Sequence, residues 1–409
     1  MEFRNGKGIR VLDMSRVLAG PLCGQLLADM GGDVIKIERP KKGDDSRAWG
    51  PPFLSDVNGD PTSESAFFLS CNRGKRSVTV DLSNPGGRDI IRKLASTCDV
   101  LLENYKVGTL DRYGLGYSDL ASLNPGLIYC SITGFGQTGP YSSRPGYDTI
   151  IQAMGGLMSI TGLPDGVQGA APVRVGIPIT DFMTGLYATI AVQQALLQRT
   201  MTGKGQYIDL SLLDVQVSAL SAVAMNYLVS GKVPTRLGNR LPTVYPSDAF
   251  RCQDGYIMII VGNDGQFKRL CEAIGLEGLQ HDQRFQANAQ RVKHADELRA
   301  LIANVFLAKP ALEWLDLLEK SQVPCAPINN IDEVFADPQI VARGMLSKLS
   351  HPLAGEIPVI SNPIRFGGGA MQANRAPPLL GEHTDEVLRE VLGMHQSEIQ
   401  TLRGSGALG

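Results

Sequence analysis

The segment VGIPITDFMTGLYATIA, residues 175–191, places one carboxylate, Asp181, between a Pro- and Gly-punctuated apolar run and the start of a helical pattern. An ionised carboxylate is a nucleophile that can attack an activated acyl group. Aspartate is also a favoured helix N-cap residue, and position alone favours that structural role. The two roles are compatible, because a helix N-terminus stabilises negative charge and favours the ionised acid at neutral pH.

Histidine and cysteine usage excludes several other chemistries. All five histidines lie beyond residue 280, so no Ser-His-Asp or Cys-His site fits within the first part of the chain. No HExxH, paired-cysteine, EF-hand or Walker pattern occurs, so the sequence predicts no metal site. The seven cysteines are scattered without a CxxC pair, which is typical of reduced core residues in a cytoplasmic protein.

Charge and composition narrow the classes of partner. The 409 residues are 43% hydrophobic and carry a net charge of −2. This balance gives no electrostatic reason to expect nucleic acid or a membrane as a partner. We therefore expect small molecules and further copies of the chain as partners.

Two segments are candidates for nucleotide binding. GFGQTG, residues 134–139, follows a predicted strand, but Pro140 and further loop-forming residues follow where a dinucleotide fingerprint needs a helix. We interpret it as an active-site loop. Arg39, Lys41 and Lys42 follow another predicted strand, where cations suit a phosphate on an adenosine ribose, as in coenzyme A or NADP. A solvated basic loop is the alternative.

Patterns typical of strands and helices alternate along the first third of the chain and would support these groups. Short β-branched runs predict strands at residues 8–14, 33–38, 77–82, 100–103 and 127–132. Helical patterns lie at residues 21–30, 84–96, near Leu110, and later at 182–198 and 211–228. This alternation predicts an α/β fold with a doubly wound parallel sheet.

The pattern changes after residue 228. A Gly- and Pro-rich connector precedes a predicted β-hairpin at residues 249–263, which turns at Asp254 and Gly255. Helical segments follow, including residues 311–320, and a last helix is predicted near 384–392. We therefore predict a large α/β domain at 1–228, a small α+β domain at 229–330 and a C-terminal return to the large domain at 331–409.

Motifs along nearly the whole chain resemble the class III CoA-transferase family. The motifs are RVLAGP (16–21), VIKIERP (34–40), GDDSRAWGPPF (43–53), NRGKRSVTVDL (72–82), ENYKVGTLDRYGLGY (103–117), SITGFGQTGPYSSRPGYD (131–148), the Asp181 segment and TGKGQYIDLSLLD (202–214). Within the family they most resemble members that act on succinyl-CoA and glutarate.

The resemblance implies a function and a set of site residues. It implies that Asp181 is the nucleophile of CoA transfer between carboxylic acids, through an anhydride and an aspartyl-CoA thioester. It implies coenzyme A contacts at Leu18, Ala19, Arg39, Val80, Asp81, Asn104, Tyr105, Lys106, Arg112 and Arg144. It implies an acyl pocket that includes Trp49, Tyr147 and Asp148. Coenzyme A is then a substrate, no cofactor is tightly bound, and two chains form an interlocked homodimer.

Alternatives remain open. The family also contains racemases and epimerases of 2-methylacyl-CoA, which use a histidine where this chain has Tyr147. A tyrosine is a much weaker acid than a protonated histidine, which disfavours that role. An NADP-dependent oxidoreductase and a non-catalytic acyl-CoA-binding protein are further alternatives. Arg47 and Arg174 are candidates for holding a substrate's distal carboxylate, because they lie near Trp49 and Asp181 in sequence.

Overall fold

The computed structural model describes residues 8–371 and 374–409, which form two compact units. The first unit extends to Leu157 and continues through Arg174–Leu228 and Gln339–Gly409. The second contains Met158–Val173 and Val229–Pro338. This division differs from the predicted domains in two places. Residues 158–173 belong to the second unit, and the return to the first begins at Gln339.

The first unit is built on a six-stranded sheet, to which a short hairpin, β3 and β4, is added. The strands in chain order are β1 (Arg10–Asp13), β2 (Asp33–Glu38), β3 (Phe53–Ser55), β4 (Pro61–Ser65), β5 (Lys75–Thr79), β6 (Val100–Glu103), β7 (Ile128–Thr133) and β8 (Tyr207–Ser211). The six run in the order β5-β2-β1-β6-β7-β8, and all neighbours are parallel. The edge strand β8 was not predicted.

Helices follow most strands. They are α1 (Ala19–Asp29), α2 (Ala66–Ser70), α3 (Pro85–Ala95), α4 (Tyr117–Leu123), α5 (Asp148–Met154), α6 (Leu157–Ile160), α7 (Ile179–Thr202), α8 (Leu212–Ala219), α9 (Ser221–Ser230), α10 (Asp264–Ala273), α11 (Asn288–Lys293), α12 (Ala295–Phe306), α13 (Ala311–Lys320), α14 (Ile331–Ala336), α15 (Pro338–Ala342), α16 (Thr384–Leu392) and α17 (Gln396–Gly404). The region near Leu110 is a single 3₁₀ turn, Asp111–Tyr113.

The long helix predicted at residues 211–228 is instead two helices, α8 and α9. Ser221 has a φ of 46°, which no helix interior accommodates, and the chain bends by 72° there. Within the described part of the chain, no single helix has the length and apolarity needed to cross a membrane. Among the helices that the structure describes, α8 and α9 meet that measure when they are taken together.

Successive side chains of the parallel strands point to opposite faces of the sheet, and both faces are buried. Leu12 and Ile35 pack on one face in a cluster with apolar residues of α3, α16 and α17. Val11 and Val34, the preceding residue of each strand, pack on the other face with residues of α1 and α7. Helices on both faces of a parallel sheet confirm the predicted doubly wound α/β fold.

The second unit contains a three-stranded antiparallel sheet, β9 (Ser247–Arg251), β10 (Tyr256–Ile260) and β11 (Cys325–Pro327), in the order β11-β10-β9. The predicted hairpin is β9 and β10. The apolar side chains of this sheet pack with residues of α10, α12 and α13, Phe267, Ile302 and Trp314 among them. This unit is therefore α+β, as predicted.

The C-terminal return adds two small hairpins and the last two helices to the first unit. The hairpins are β12 (Leu346–His351) with β13 (Gly355–Ile360), and β14 (Arg365–Phe366) with β15 (Gly369–Ala370). Helix α16 packs beside β5, where Thr384 accepts a hydrogen bond from the Thr79 N–H at 3.2 Å.

Candidate active site

The strand order reverses between β1 and β6, which makes their carboxyl ends the switch point of the sheet. Ligands of open α/β sheets bind at such a point. The loops that follow β1, β6 and β7 line one cleft here, with a volume of about 240 Å³. Its lining contains many of the predicted site residues, namely Leu18, Ala19, Asn104, Tyr105, Lys106, Arg144, Tyr147 and Asp181. Topology has brought distant segments of sequence into one site.

Asp181 lies in the first turn of α7 but does not cap it. The N-cap residue is Pro178, which makes no side-chain cap. Asp148 from α5 caps the helix instead, because its carboxylate accepts hydrogen bonds from the N–H groups of Thr180 at 2.8 Å and Asp181 at 3.1 Å. Gln152 donates to the other Asp148 oxygen at 2.5 Å. The N-cap interpretation of Asp181 was therefore wrong, because its carboxylate does not cap the helix.

Asp148 is not a wall of the cleft, contrary to its predicted place in the acyl pocket. It is 7% exposed and lies behind the first turn of α7. Its position still affects the site, since its negative charge acts on the Asp181 carboxyl.

The pKa of Asp181 is raised to about 7, first by burial and then by the negative charge of Asp148. Burial disfavours the ionised form because the carboxylate loses solvation, and a like charge adds to this effect. We expected the helix N-terminus to favour the ionised acid at neutral pH, but a pKa of about 7 means that the protonated and ionised forms coexist there. A poorly solvated carboxylate is, however, a stronger nucleophile than one held by hydrogen bonds, and no such bond to the Asp181 carboxylate is found among the described residues.

The glycine segment at 134–139 forms a loop, as predicted, and α5, the next helix, begins only at Asp148. The backbones of Gly134 and Gly146 approach so closely that a Cβ on Gly134 would lie 2.5 Å from the Gly146 Cα. This close approach holds residues 142–147 against the end of β7, and Arg144 and Tyr147 thereby reach the cleft. A dinucleotide fingerprint needs a helix directly after the glycines, so that alternative is not supported.

A buried ionic network that sequence reasoning missed holds the loop after β1. The ammonium of Lys36, fully buried, donates to the Asp44 carboxylate at 2.9 Å and to the Ser15 carbonyl at 3.0 Å. Asp44 also accepts a hydrogen bond from the Val17 N–H at 3.1 Å. Val17 lines the cleft and has a φ of 73°, a conformation rare for a β-branched residue. The network therefore stabilises a strained turn in the cleft wall.

Charge pairing keeps this network ionised. Burial opposes the charge of Asp44, but Lys36 and the hydrogen bonds from Ser46 lower the pKa of Asp44 to about 2. No sequence signal identified these residues, because Lys36 lies in DVIKIE, whose polar and apolar alternation indicates a solvated face. Arg16 and Asp45 also line the cleft without having been predicted.

Arg47 cannot hold a substrate carboxylate, contrary to the prediction. It is 7% exposed and donates from Nε and Nη2 to Glu38, at 2.8 and 2.9 Å. Nη1 donates to Glu64 at 2.9 Å, and Nη2 also donates to the Pro378 carbonyl at 2.9 Å. The guanidinium lies 3.6 Å from the centroid of the Phe68 ring. Every nitrogen of Arg47 is engaged, so its role is structural.

Other predicted residues lie outside the lining of the cleft. Arg39 pairs with the carboxylate of Asp45, a residue of the lining. Trp49 packs edge-on against Phe67, with ring centroids 5.1 Å apart. The exposed Arg174 donates to the Val175 carbonyl at 3.0 Å. Sequence proximity to Asp181 therefore did not place Arg174 in the site.

Val80, Asp81 and Arg112, three predicted coenzyme A contacts, also lie outside the lining. The Val80 side chain is buried in the core beside the sheet, so it is not available to a ligand. Asp81 accepts a hydrogen bond from the Ser83 N–H at 2.8 Å. Arg112 lies in the 3₁₀ turn and donates to the Thr109 hydroxyl at 3.4 Å. Within residues 8–371 and 374–409, no cluster of three or more His, Cys, Asp or Glu side chains is arranged to hold a metal ion.

Comparisons with known proteins agree with this architecture. The model of CoA-transferase family III matches residues 7–384. The chain is 47% identical to the succinate–glutarate CoA-transferase of Agrobacterium fabrum over 384 residues, which cover 94% of this chain and 95% of that protein. It is 44% identical to the succinyl-CoA:glutarate CoA-transferase of Mus musculus over 402 residues, 98% of this chain and 90% of that protein.

A solved structure shares the fold. The crystal structure of a CAIB/BAIF family protein from Brucella suis superposes with a TM-score of 0.84 at 46% identity, and the match covers 94% of this chain and 98% of that chain. The family match spans most of the chain, and the predicted nucleophile lies at the switch point of the sheet. The chain therefore belongs to CoA-transferase family III and is a CoA-transferase.

Proposed function

We propose that the protein transfers coenzyme A from succinyl-CoA to a small dicarboxylic acid such as glutarate, through covalent intermediates on Asp181. The observation that carries the proposal is the Asp181 carboxylate, which lines the cleft while Asp148 caps its helix. The names of the similar proteins from Agrobacterium fabrum and Mus musculus support the choice of acids.

Covalent catalysis preserves the thioester energy during transfer. The Asp181 carboxylate attacks the donor thioester and expels the CoA thiolate, giving a mixed anhydride. The thiolate then attacks the aspartyl carbonyl, which releases the donor acid and leaves an aspartyl-CoA thioester. The acceptor carboxylate attacks this thioester and expels the thiolate, and the thiolate attacks the acceptor acyl carbon of the new anhydride. Acyl-CoA leaves and Asp181 is regenerated. No general base is required, because every attacking group is an anion.

The cleft supplies groups suited to these steps. Leu18 and Ala19 lie in its lining at the start of α1, a helix without a side-chain cap or an acidic residue in its first turn. The N–H groups of such a helix end stabilise a developing oxyanion. The exposed cations Lys106 and Arg144 suit the phosphates of coenzyme A. We assign the remaining coenzyme A contacts in the lining to Asn104 and Tyr105.

We also propose that the protein acts as a homodimer, interlocked as the family resemblance implies. Large apolar side chains are exposed along α7 and α9, including Phe182, Ile190, Met225 and Leu228. Exposed apolar patches of this kind mark interfaces between proteins. A cytoplasmic location remains a prediction.

A thioester-exchange screen tests the proposed activity. Succinyl-CoA is incubated with the protein and with glutarate, oxalate, mesaconate or malate, and the CoA thioesters are separated by chromatography. We expect glutaryl-CoA to form as succinate is released, without accumulation of free CoA. Hydroxylamine is expected to cleave the aspartyl thioester and leave a hydroxamate on Asp181. In its absence, the Asp181 peptide should gain the mass of coenzyme A. Hydrolysis without exchange would overturn the proposal, and a nicotinamide absorbance change would favour the oxidoreductase.

The raised pKa of Asp181 predicts the pH dependence of the reaction. Only the ionised carboxylate attacks, so we expect kcat/KM for succinyl-CoA to rise with pH through a midpoint near the pKa of about 7 and then level off. Asp148→Asn removes a negative charge that raises this pKa, so the midpoint should move to lower pH. Initial rates across the pH range measure both profiles. A midpoint that does not move in Asp148→Asn would contradict the assignment to Asp181.

A further inference from the structure

We infer that Arg16 is the specificity-determining residue that binds the distal carboxylate of a dicarboxylic substrate. The inference rests on the proposed function. A dicarboxylic acid reacts at one end with Asp181 or its thioester, and the other end stays negatively charged. Charge of that kind needs a cationic partner when it is removed from water. The lining of the cleft contains three cations, Arg16, Lys106 and Arg144.

Arg16 differs from the other two cations in its exposure. Lys106 and Arg144 are exposed, and Arg144 stacks on the neighbouring Tyr141 ring, with its guanidinium 3.9 Å from the ring centroid. Arg16 is half-buried, and its guanidinium lies 5.1 Å from the centroid of the Tyr105 ring. The exposed pair suits the solvated phosphates of a large substrate. The half-buried guanidinium suits the small acid that enters the cleft.

The guanidinium of Arg16 has an edge that lacks a partner. Nη1 is paired with the Asp45 carboxylate at 3.0 Å. Nε is buried and donates to no acceptor among the residues that the structure describes. Native proteins rarely leave a buried donor unpaired, so an unpaired Nε indicates that a bound ligand accepts its hydrogen bond. The Nε and Nη2 edge of a guanidinium matches a carboxylate, which accepts two parallel hydrogen bonds from it.

The backbone around Arg16 is held in place before any substrate binds. The Asn104 side chain accepts a hydrogen bond from the Arg16 N–H at 2.9 Å and donates one to the Arg16 carbonyl at 2.7 Å. Asp45 fixes the other end of the side chain and is shared with Arg39. A side chain that is held at both its backbone and its guanidinium loses little conformational freedom on binding, which favours affinity.

The test compares two acceptors of equal chain length, glutarate and pentanoate, of which only glutarate has a distal carboxylate. With succinyl-CoA as donor, kcat/KM for each acceptor is measured in the wild type, Arg16→Gln, Arg16→Lys and Arg174→Gln. We expect Arg16→Gln to lower the glutarate-to-pentanoate ratio about 10- to 100-fold through a raised KM for glutarate. Arg16→Lys should restore part of the ratio. Arg174→Gln, an exposed arginine outside the lining, should leave the ratio unchanged.

The pentanoate rate of Arg16→Gln shows whether the variant is folded and able to transfer CoA. A wild-type preference for glutarate that persists in Arg16→Gln overturns the inference and leaves the proposed function standing. Weaker binding of coenzyme A itself, measured by calorimetry, with an unchanged acceptor ratio would assign Arg16 to a CoA phosphate and equally overturn the inference. A wild type that transfers CoA to no dicarboxylate overturns the proposed function.

Discussion

Asp181→Asn should lower the rate of CoA transfer by about 10⁴-fold or more, while coenzyme A still binds. The amide has nearly the shape of the carboxylate but cannot form the anhydride or the aspartyl thioester. Such a loss corresponds to about 5.5 kcal/mol of transition-state stabilisation. Exchange between succinyl-CoA and glutarate measures the rate, and calorimetric titration with coenzyme A measures binding.

Asp214→Asn is a matched control for this variant. Asp214 lies in the first turn of α8, at the position that Asp181 has in α7, but it is exposed and absent from the lining of the cleft. Its replacement should leave transfer at the wild-type rate. If Asp181→Asn transferred CoA as fast as Asp214→Asn, the covalent route would be refuted. Loss of CoA binding in Asp181→Asn would instead point to a disturbed cleft.

Replacement of Arg47 should have a large effect on the stability of the fold. Arg47→Met should lower the free energy of unfolding by about 3–5 kcal/mol, because it leaves the carboxylates of Glu38 and Glu64 buried without their cation. Methionine keeps most of the side-chain volume, so the loss reports charge more than packing. Urea denaturation, followed by circular dichroism, measures the change.

Two further variants test whether the stability lost in Arg47→Met comes from the unpaired buried charges of Glu38 and Glu64. The triple variant Arg47→Met, Glu38→Gln and Glu64→Gln removes the stranded charges, and we expect it to recover much of the lost stability. Arg174→Met, at an exposed position, should change the free energy of unfolding by less than about 0.5 kcal/mol. If Arg47→Met were as stable as the wild type and raised the KM for glutarate, Arg47 would be a substrate ligand after all.

Local patterns predicted many elements to within a residue or two. The strands at residues 33–38 and 100–103 and the helices at 311–320 and 384–392 have the predicted bounds. Their apolar periodicity and the turns at their ends act over short stretches of chain, which a sequence displays directly. The predicted helix at 211–228 was wrong in its continuity, because the bend at Ser221 has no breaking Gly or Pro to mark it.

Sequence motifs located Asp181 and several loops that line its cleft, but proximity along the chain wrongly placed Arg47 in the site. Arg47 lies beside Trp49 in sequence, yet its partners are Glu38, Glu64 and the carbonyl of Pro378. Proximity along the chain predicts little about long side chains. A guanidinium reaches whichever carboxylates the fold brings to it.

Local residue patterns predicted the alternation of strands and helices, and family resemblance assigned Asp181 as the nucleophile that we propose. The behaviour of that carboxyl depends on the fold around it. Asp148 caps α7 from another helix, and burial with this neighbouring charge raises the pKa of Asp181. Likewise, only the fold buries Lys36 against Asp44 and holds Val17 in its turn. Periodicity is a property of neighbouring residues, whereas desolvation and charge pairing depend on groups that meet through space.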